Sequence, residues 1–374
     1  MFIKYLDYLS PPITFYHKGY LTHSSLISII ISIVAFLIIF ILAINFSLDI
    51  ILRRNPTAYY FNRFIDDAGL FPLNASGFFH FLSIAQNTSN NFDNGIDFTS
   101  YRIVGLEMYY DIYLSDKNLS KYNHWLYGFC NNESDTEGLG YLIKYKFFEQ
   151  SACIRKYFNN KTQKYYDTND PNFKWPIIAH GTYNPDAIYY TIIIERCKKE
   201  TLNLILGKGF QCRNESEMDI LFTNIGATHL FYIDHYIDVL DYDNPNMKYF
   251  YTIENGLHKN DFSVNHLNIN PSSIRTHKGL IFESYKEELT YIVDRNDVFT
   301  YENKDDEIYM VYYFWLKNKI HYYERSYKRV QDVTSSIGGI YQIVTVIAML
   351  INKLFNNYTV LSDTETLLFS SIYS

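Results

Sequence analysis

Residues 26–48 form an uninterrupted apolar run that constrains the chain more than any other feature. The run reads LISIIISIVAFLIIFILAINFSL and contains 23 residues without a charge. About 20 apolar residues in a helix cross the ~30 Å hydrocarbon core of a bilayer. A secretory signal peptide is the alternative, but its apolar region is usually about 7–15 residues long and ends at a cleavage site with small residues. We therefore predict an uncleaved transmembrane helix at residues 26–48.

A second apolar run lies near the end of the sequence. Residues 337–351 read IGGIYQIVTVIAMLI, 15 residues without a charge. A buried core helix is the alternative for so short a run, but we favour a short or tilted membrane segment at 331–355, with Lys353 reaching the interface. Gly338 and Gly339 at its start predict close packing against the first helix, as small residues allow in lipid, or else a kink.

The segment between these runs, residues 49–330, is typical of β-structure. The chain contains 37 Tyr and 28 Phe, and aromatic residues fit the pleated surface of a sheet. Turn-forming clusters separate eight β-rich runs, at 78–86, 101–114, 187–195, 229–240, 247–254, 280–285, 288–295 and 307–316. We predict a mainly β chain, with an antiparallel β-sandwich-like domain between an N-terminal and a C-terminal membrane helix. Helix is expected only in the first anchor, continuing to about Arg63, and at 325–356. Residues 1–25 and 356–374 are the predicted tails.

All four cysteines lie within this middle segment. Their spacings of 23, 44 and 15 residues match no C-x-x-C zinc or redox motif. Two disulfides in an oxidising compartment are therefore expected, and we favour the pairs Cys130–Cys153 and Cys197–Cys212 among the three connectivities. Four reduced, buried cysteines are the alternative.

Two features of the sequence disagree about the side of the membrane on which the middle segment lies. Basic residues near the apolar runs favour a cytoplasmic domain, although the positive-inside bias applies mainly to short loops. Glycosylation sequons and confined cysteines favour a lumenal or extracellular one. The predicted glycosylation sites are Asn74, Asn87, Asn118, Asn132, Asn160 and Asn214.

The sequence contains none of the common nucleotide-binding, hydrolase or zinc-protease motifs that we sought. His229 and His235 share a face of a predicted strand and Asp234 lies on the other, which we interpret as solvated polar residues rather than a catalytic or metal site. The cluster Asp238, Asp241, Asp243 and Asn244 is interpreted as a solvated turn rather than a Ca²⁺ site. We predict no enzyme activity, no cofactor, no metal site and no small-molecule substrate. A net charge of −7 argues against nucleic acid as a partner.

Both ends of the chain carry a recognisable arrangement. Asp7, Pro11 and Gly19 precede the first apolar run, and RSYKRVQDVTSSIGG at 325–339 leads through the second run into INKLFNNYTVLSDTE. In topology the chain resembles the ER–Golgi cargo receptors of the ERGIC/Erv class. Its end motifs resemble a group of protist, ciliate-type two-helix membrane proteins. The resemblance implies a lumenal domain between two membrane helices with both tails in the cytoplasm, but the chain lacks the close cysteine pair usual in cargo receptors.

These observations lead to two functional hypotheses. The first is a non-enzymatic glycoprotein of the secretory pathway or plasma membrane, with membrane lipid and other proteins as its partners, a larger membrane complex included. The alternative is an accessory subunit of a mitochondrial inner-membrane complex, which the aromatic excess and the position of the anchor near Met1 motivate. An ectoenzyme built on His229 and His235 is the third and least supported hypothesis.

Overall fold

The structure is a computed structural model, and it describes residues 12–17, 20–22, 26–66, 69–74, 77–88, 91–108, 121–131, 148–179, 187–223, 226–302 and 307–372. The chain forms two compact units. One, here called the helical unit, contains Met1–Ala58, Thr276–Lys286 and Arg325–Ser374, and the other, the β unit, contains Tyr59–Arg275 and Glu287–Glu324.

The elements are numbered in chain order. The helices are α1 (Leu26–Ile51), α2 (Lys199–Ile205), α3 (Glu215–Thr223) and α4 (Val330–Ile372). The strands are β1 (Pro12–His17), β2 (Tyr20–Thr22), β3 (Thr57–Phe64), β4 (Leu70–Pro72), β5 (His80–Thr88), β6 (Asn91–Asn94), β7 (Tyr101–Met108), β8 (His124–Phe129), β9 (Ala152–Asn159), β10 (Lys164–Asp167), β11 (Ile177–Ala179), β12 (Tyr189–Arg196), β13 (Gly226–Ile237), β14 (Asn246–Leu257), β15 (Asp261–His277), β16 (Tyr285–Glu302), β17 (Ile308–Leu316) and β18 (Lys319–Ser326).

The helical unit contains both apolar runs. Within the described residues, two helical segments are long and apolar enough to cross a bilayer, Ser28–Ile51 in α1 and Val330–Phe355 in α4. The two helices pack together around Ala35 and Ala348, with Ile31 and Val344 beside them. Small side chains at the crossing allow close approach of the two backbones.

The glycine pair predicted to mediate this packing lies elsewhere on α4. A side-chain carbon built on Gly338 or Gly339 has no heavy atom within 4 Å in the described part of the chain. The structure therefore brings α1 and α4 together at Ala35 and Ala348 and does not bring Gly338 and Gly339 into that contact.

The expectation that the first helix continues to about Arg63 is wrong. Helix α1 ends at Ile51, and β3 begins at Thr57. Arg53 and Asn55 have left-handed backbone conformations, with φ of 49° and 53°, which end a helix because they turn the chain out of the right-handed spiral. Pro56 lacks the amide proton that a helix interior requires.

Most strands belong to one large curled sheet, and the mainly β class with a helix at each end is confirmed. Its strand order is β14-β13-β5-β9-β8-β7-β12-β17-β15-β18-β3, with β10, β16 and β6 attached to β9, β15 and β5. Strand β12 pairs antiparallel with β7 and β17, whereas β15 and β17 run parallel. Two further sheets have two strands each, β1-β2 and β4-β11.

The core lies on both faces of the central strands. Ile192 and Ile194 of β12 point into the largest apolar cluster, and Ile193, on the opposite face, belongs to a second one. Successive side chains of a strand alternate between faces, so a strand buried on both sides reads as a continuous apolar run. Each fully buried Ile contributes about 1.5–3 kcal/mol to folding.

Several local expectations differ from the structure. The predicted strand at 280–285 is a loop, and β16 begins only at Tyr285. Strands β8, β9 and β15 and the short helices α2 and α3 were not predicted. Helix α3 carries a clear start signal: Asn214 accepts a hydrogen bond from the Glu217 backbone N–H at 2.9 Å, and Glu217 accepts one from the Asn214 backbone at 2.9 Å.

Both disulfides favoured by the sequence are present. Cys130 is bonded to Cys153 and Cys197 to Cys212. The first pair joins the end of β8 to β9 inside an aromatic cluster that includes Phe81, and the second closes the segment that carries α2. The two bonds close chain segments of 23 and 15 residues within the β unit.

Candidate functional site: an aromatic sheet edge

Strand β3 is the most exposed apolar element of the β unit. It is the last strand of the large sheet, and all eight of its residues are exposed. Its aromatic side chains have large exposed fractions: Tyr59 62%, Tyr60 55%, Phe61 47% and Phe64 78%. Soluble surfaces rarely collect so much apolar area on one short strand, which makes this edge the candidate site of the β unit.

Stacked rings between β3 and β18 hold the edge in place. Tyr60 lies on one face, with its ring centroid 5.0 Å from that of Tyr323 and its hydroxyl 2.9 Å from Nδ1 of His321. Phe61 lies on the other face and stacks on Tyr322 at 5.1 Å. Aromatic pairs at these separations stabilise the arrangement by about 0.5–1.5 kcal/mol each beyond the area they bury.

Two ring side chains of β18 at this edge have pKa values shifted towards the neutral form. Burial, together with the nearby Lys319 ammonium, lowers the pKa of His321, and burial with the neighbouring Tyr60 raises the pKa of Tyr323. Arg63 is the only charged residue within β3. The edge therefore presents an aromatic strand with a single charged side chain.

The opposite edge of the sheet is less apolar. Strand β14 also exposes aromatic side chains, but Lys248 and Glu254 place charges along it. Charged residues on an edge strand discourage pairing with another chain. Of the two end strands in the sheet order, β3 carries fewer charged side chains.

Sequence reasoning missed this edge. Residues 52–63 were predicted as a continuation of the first helix, yet Thr57-Ala58-Tyr59-Tyr60-Phe61 directly after Pro56 is rich in residues that favour strands. The proline and the aromatic run together were the available signal.

The histidines considered as a catalytic or metal site do not converge. His235 and Asp234 are both buried, which corrects the expectation of a solvated strand face. Asp234 accepts hydrogen bonds from the backbone N–H groups of His235 and Val293 and from the Tyr249 hydroxyl. His229 lies near Glu254, with 3.8 Å between Nε2 and Oε1.

Burial controls the ionisation of these groups. It lowers the pKa of His235 to about 4 and raises the pKa of Asp234. Burial also lowers the pKa of His80 to about 4, and His80 lies 2.7 Å from the Tyr127 hydroxyl inside the core. Enclosed groups of this kind stabilise the fold through hydrogen bonds.

Glu107 on β7 is a further buried carboxyl. Burial raises its pKa to about 7, although it accepts a hydrogen bond from the backbone N–H of Ile177 at 3.0 Å. Its folded pKa lies above its ordinary value of 4.5. The stability it contributes as a neutral acid is therefore complete below pH 4.5 and is lost as the pH rises through 7.

We expect Glu107→Gln to raise the free energy of unfolding at pH 8 by about 2–3 kcal/mol and to leave it unchanged at pH 4. The amide keeps the acceptor oxygen for Ile177 and never ionises. Melting of the full chain in detergent at both pH values measures the difference. The exposed Glu302→Gln is the matched control and is expected to change stability by less than about 0.5 kcal/mol at either pH. Equal effects of Glu107→Gln on stability at pH 4 and pH 8 would contradict the raised pKa of Glu107.

The acidic cluster forms turns. Oδ1 of Asp238 accepts from the backbone N–H of Leu240, and Oδ1 of Asp241 accepts from those of Asp243 and Asn244. The described residues contain no group of three or more His, Cys, Asp or Glu that could hold a metal ion.

The sequons differ in accessibility. Asn214 is exposed, whereas Asn160 is half-buried and its side-chain N–H donates to the Lys121 carbonyl at 3.0 Å. Asn74 is half-buried and accepts from the Gly77 backbone at 3.1 Å. Asn118, Asn132 and the side chain of Asn87 lie outside the described residues. Glycosylation at the six positions stays a prediction.

Comparison with known proteins gives one family match. Residues 109–317, more than half of the chain, match the family described as "Uncharacterised 80 kDa protein N-terminal domain". No curated protein matches the sequence. The end motifs that resemble protist two-helix proteins lie outside the matched residues, so that resemblance stays a prediction.

Two solved structures show a low similarity. One is titled "Cryo-EM structure of a proton-activated chloride channel", with 9% identity over 88% of this chain and 99% of that chain and a TM-score of 0.28. The other is titled "Crystal Structure of Erv41p", with 8% identity over 72% of this chain and 99% of that chain and a TM-score of 0.20. TM-scores this low establish neither a shared fold nor a shared function.

Because the family model matches more than half of this chain, the chain belongs to the Uncharacterised 80 kDa protein N-terminal domain family.

Proposed function

We propose that the chain is a two-span membrane protein that acts without catalysis, by binding another polypeptide along the exposed edge strand β3. The observation that carries this proposal is the complete exposure of an aromatic strand at the end of the sheet. Within the described residues, β3 pairs on one side only, with β18.

The chemistry of a sheet edge selects the kind of partner. The outer side of an edge strand presents backbone N–H and C=O groups, and an added strand from another polypeptide matches both. Tyr and Phe are effective anchors at protein interfaces because they bury much area with little conformational entropy. Both features favour a protein partner over a small molecule.

The apolar area of β3 supplies a large part of the free energy that binding requires. Covering about half of each of the four aromatic side chains buries on the order of 400 Å². At about 25 cal/mol per Å² this gives roughly 10 kcal/mol before the association cost of about 4–15 kcal/mol. A contact centred on β3 therefore needs the additional backbone hydrogen bonds of strand pairing to be stable.

The two disulfides support a lumenal or extracellular position for the β unit, since such bonds persist in oxidising compartments. We propose the secretory pathway or plasma membrane as the location. Mass spectrometry of the unreduced native chain tests it. Hexose on Asn160 or Asn214 together with both disulfides supports this location, whereas free thiols and unmodified asparagines favour the mitochondrial alternative.

We expect the double variant Tyr59→Lys and Phe64→Lys to weaken partner binding by roughly 30-fold or more, the loss usual for interface anchors worth about 2 kcal/mol. Charges on an edge strand oppose strand pairing. The measurement is quantitative mass spectrometry of proteins crosslinked to the full chain in native membranes, compared with wild type.

The matched control is Tyr236→Lys with Met247→Lys, an exposed apolar pair at the other edge of the sheet. It likewise introduces two lysines in place of exposed apolar residues, and it is expected to keep the partner. Tryptophan fluorescence of each variant confirms that the sheet is folded, because Trp125 is buried in it. Retention of the partner by the β3 variant, or its loss from the control alone, would show that β3 is not the contact.

A further inference from the structure

The helical unit contains a small apolar loop, residues 278–284, that neither apolar run includes. Its tip side chains have exposed fractions of 43% for Leu280, 55% for Ile281 and 82% for Phe282. These values match those of outward-facing residues on the candidate spans, such as Ile33 at 43% and Ile343 at 62%. The loop thus presents the kind of surface that α1 and α4 present along their length.

The loop is closed by its own backbone. The N–H of Lys278 donates to the carbonyl of Ser284 at 2.9 Å. A side-chain carbon on Gly279 would lie 1.8 Å from the Phe282 carbonyl oxygen, so only glycine fits there. The hydrogen bond and the glycine together define the shape of the loop, in which the side chains of the apolar tip are exposed.

Polar contacts attach the loop to the first turn of α4. The N–H of Val330 donates to the Leu280 carbonyl at 3.0 Å, and the Gln331 amide donates to the Ile281 carbonyl at 2.7 Å. Val330 is also the first residue of the candidate span Val330–Phe355. The loop backbone consequently lies level with the end of that span.

The end of α1 lies at the same level. A guanidinium N–H of Arg53 reaches the Lys278 carbonyl at 3.4 Å, two residues beyond Ile51, where the first candidate span ends. Lys328, which precedes α4, forms an ion pair with Asp49 at 2.6 Å. Both spans therefore reach the bilayer surface beside this loop.

Basic residues flank the loop and the adjoining ends of α1 and α4 in the sequence. They are Arg53, Arg54, Lys278, Lys286, Lys328 and Arg329, of which Arg53 contacts the loop at the Lys278 carbonyl and Arg329 contacts it at Glu283. Three acidic residues lie among them, Asp49, Glu283 and Asp332, and Glu283 pairs with Arg329 at 3.0 Å. Long basic side chains at the ends of membrane helices extend to the phosphate layer, and aromatic rings prefer the region just beneath it.

From this geometry we infer that the 278–284 loop inserts its tip, Leu280, Ile281 and Phe282, into the interfacial layer of the same bilayer that α1 and α4 cross. The occupant of this surface is lipid: the headgroup-proximal part of the acyl chains against the tip, and headgroup phosphates against the neighbouring basic side chains. The inference rests on the proposed two-span arrangement and adds a third, shallow membrane contact to it.

Spin-label accessibility in lipid vesicles tests the inference on the full chain. The four cysteines are all paired in disulfides, so a single introduced cysteine is labelled alone. The probe is Phe282→Cys. Ile343→Cys on α4 is the lipid control, and Thr162→Cys, in the exposed polar turn between β9 and β10, is the water control.

We expect the label at 282 to lose most of the accessibility to a water-soluble nickel chelate that the label at 162 shows, and to be reached by oxygen as the label at 343 is. If 343 is shielded from nickel while 282 is as accessible as 162, the loop inference fails and the two-span proposal stands. If 343 is itself open to nickel, the two-span proposal fails.

A second variant tests the same contact without a spin label that could disturb the loop. Phe282→Trp keeps an aromatic ring at the tip, and the wild-type chain corrects for the native Trp125, Trp175 and Trp315. We expect phospholipids brominated near the headgroup to quench the added fluorescence more strongly than those brominated near the chain ends. Absence of quenching by either lipid would overturn the inference.

Discussion

Replacing Glu195 by alanine is expected to lower the free energy of unfolding of the β unit by about 3–5 kcal/mol. Glu195 on β12 and Arg102 on β7 face each other across adjacent strands, and their side chains are 2% and 8% exposed. The Arg102 Nε donates to Glu195 Oε1 at 2.7 Å, and a second guanidinium nitrogen donates to the Thr201 hydroxyl at 3.1 Å. Loss of the carboxylate leaves a buried guanidinium charge without its main partner.

Denaturant unfolding of the full chain in detergent, followed by tryptophan fluorescence, measures this loss. Glu307→Ala is the control: Glu307 is 49% exposed and lies 3.7 Å from Lys198, so its removal is expected to cost less than about 1 kcal/mol. The double variant Arg102→Met with Glu195→Leu removes both charges and is expected to recover most of the stability. A Glu195→Ala chain as stable as Glu307→Ala would refute this account.

Removing the Cys130–Cys153 disulfide is expected to lower stability by about 3 kcal/mol, because the bond restricts the unfolded chain. The two cysteines are 23 residues apart, and the second pair, Cys197–Cys212, is 15 residues apart. Loop closure alone then predicts losses that differ by only about 0.4 kcal/mol.

Comparing the alanine variants of the two cysteine pairs separates the effect of each disulfide on the entropy of the unfolded chain from the packing of its sulfur atoms in the folded chain. Both Cys130 and Cys153 are buried among Phe79, Phe81 and Phe148, whereas Cys197 and Cys212 are only partly buried at the side of the main cluster. Any excess loss for Cys130→Ala with Cys153→Ala therefore measures packing around the sulfur atoms. Unfolding monitored by fluorescence under identical conditions gives both values. A loss below about 1 kcal/mol for the 130–153 pair would contradict its structural role.

The sequence predicts those parts of the fold whose residues follow a simple apolar pattern. Strands β12 and β17 read as continuous runs of Ile, Tyr and Val because both of their faces are buried. The helices at the two ends are predicted from apolar runs as well: the first run is continuous over a membrane thickness, and the second is shorter.

Strand β15 shows why other parts were missed. It spans Asp261–His277 in the middle of the sheet, yet its sequence is DFSVNHLNINPSSIRTH. Asn265 and Asn270 are fully buried, and neither carboxamide has a hydrogen-bond partner within the described residues. Buried amides and an internal proline are costly in a central strand, so the local sequence argues against a strand at residues 261–277. The strand is instead recognised by its long-range pairing with β17.

The candidate site is predictable to a smaller extent. The two disulfide pairs are the ones that the sequence favours among three connectivities, since they join cysteines that are neighbours in the chain. The exposure of β3 depends on its place at the end of the strand order, and the loop at 278–284 depends on hydrogen bonds to residues about 50 positions later, such as Leu280 to Val330. Neither relation is encoded in a short stretch of sequence.

The pairing of β3 with β18 has a consequence for biosynthesis. Phe64 ends one strand and Lys319 begins the other, so about 255 residues are synthesised after β3 before its neighbour is started. At about 5–20 residues per second this takes roughly 13–50 seconds. During that time a strand bearing four aromatic rings lacks β18, its sheet neighbour, and follows an apolar helix that is already synthesised. The nascent chain is therefore expected to need a chaperone at this strand, and the aromatic edge proposed to bind a partner in the finished protein is the same surface that must first be protected from aggregation.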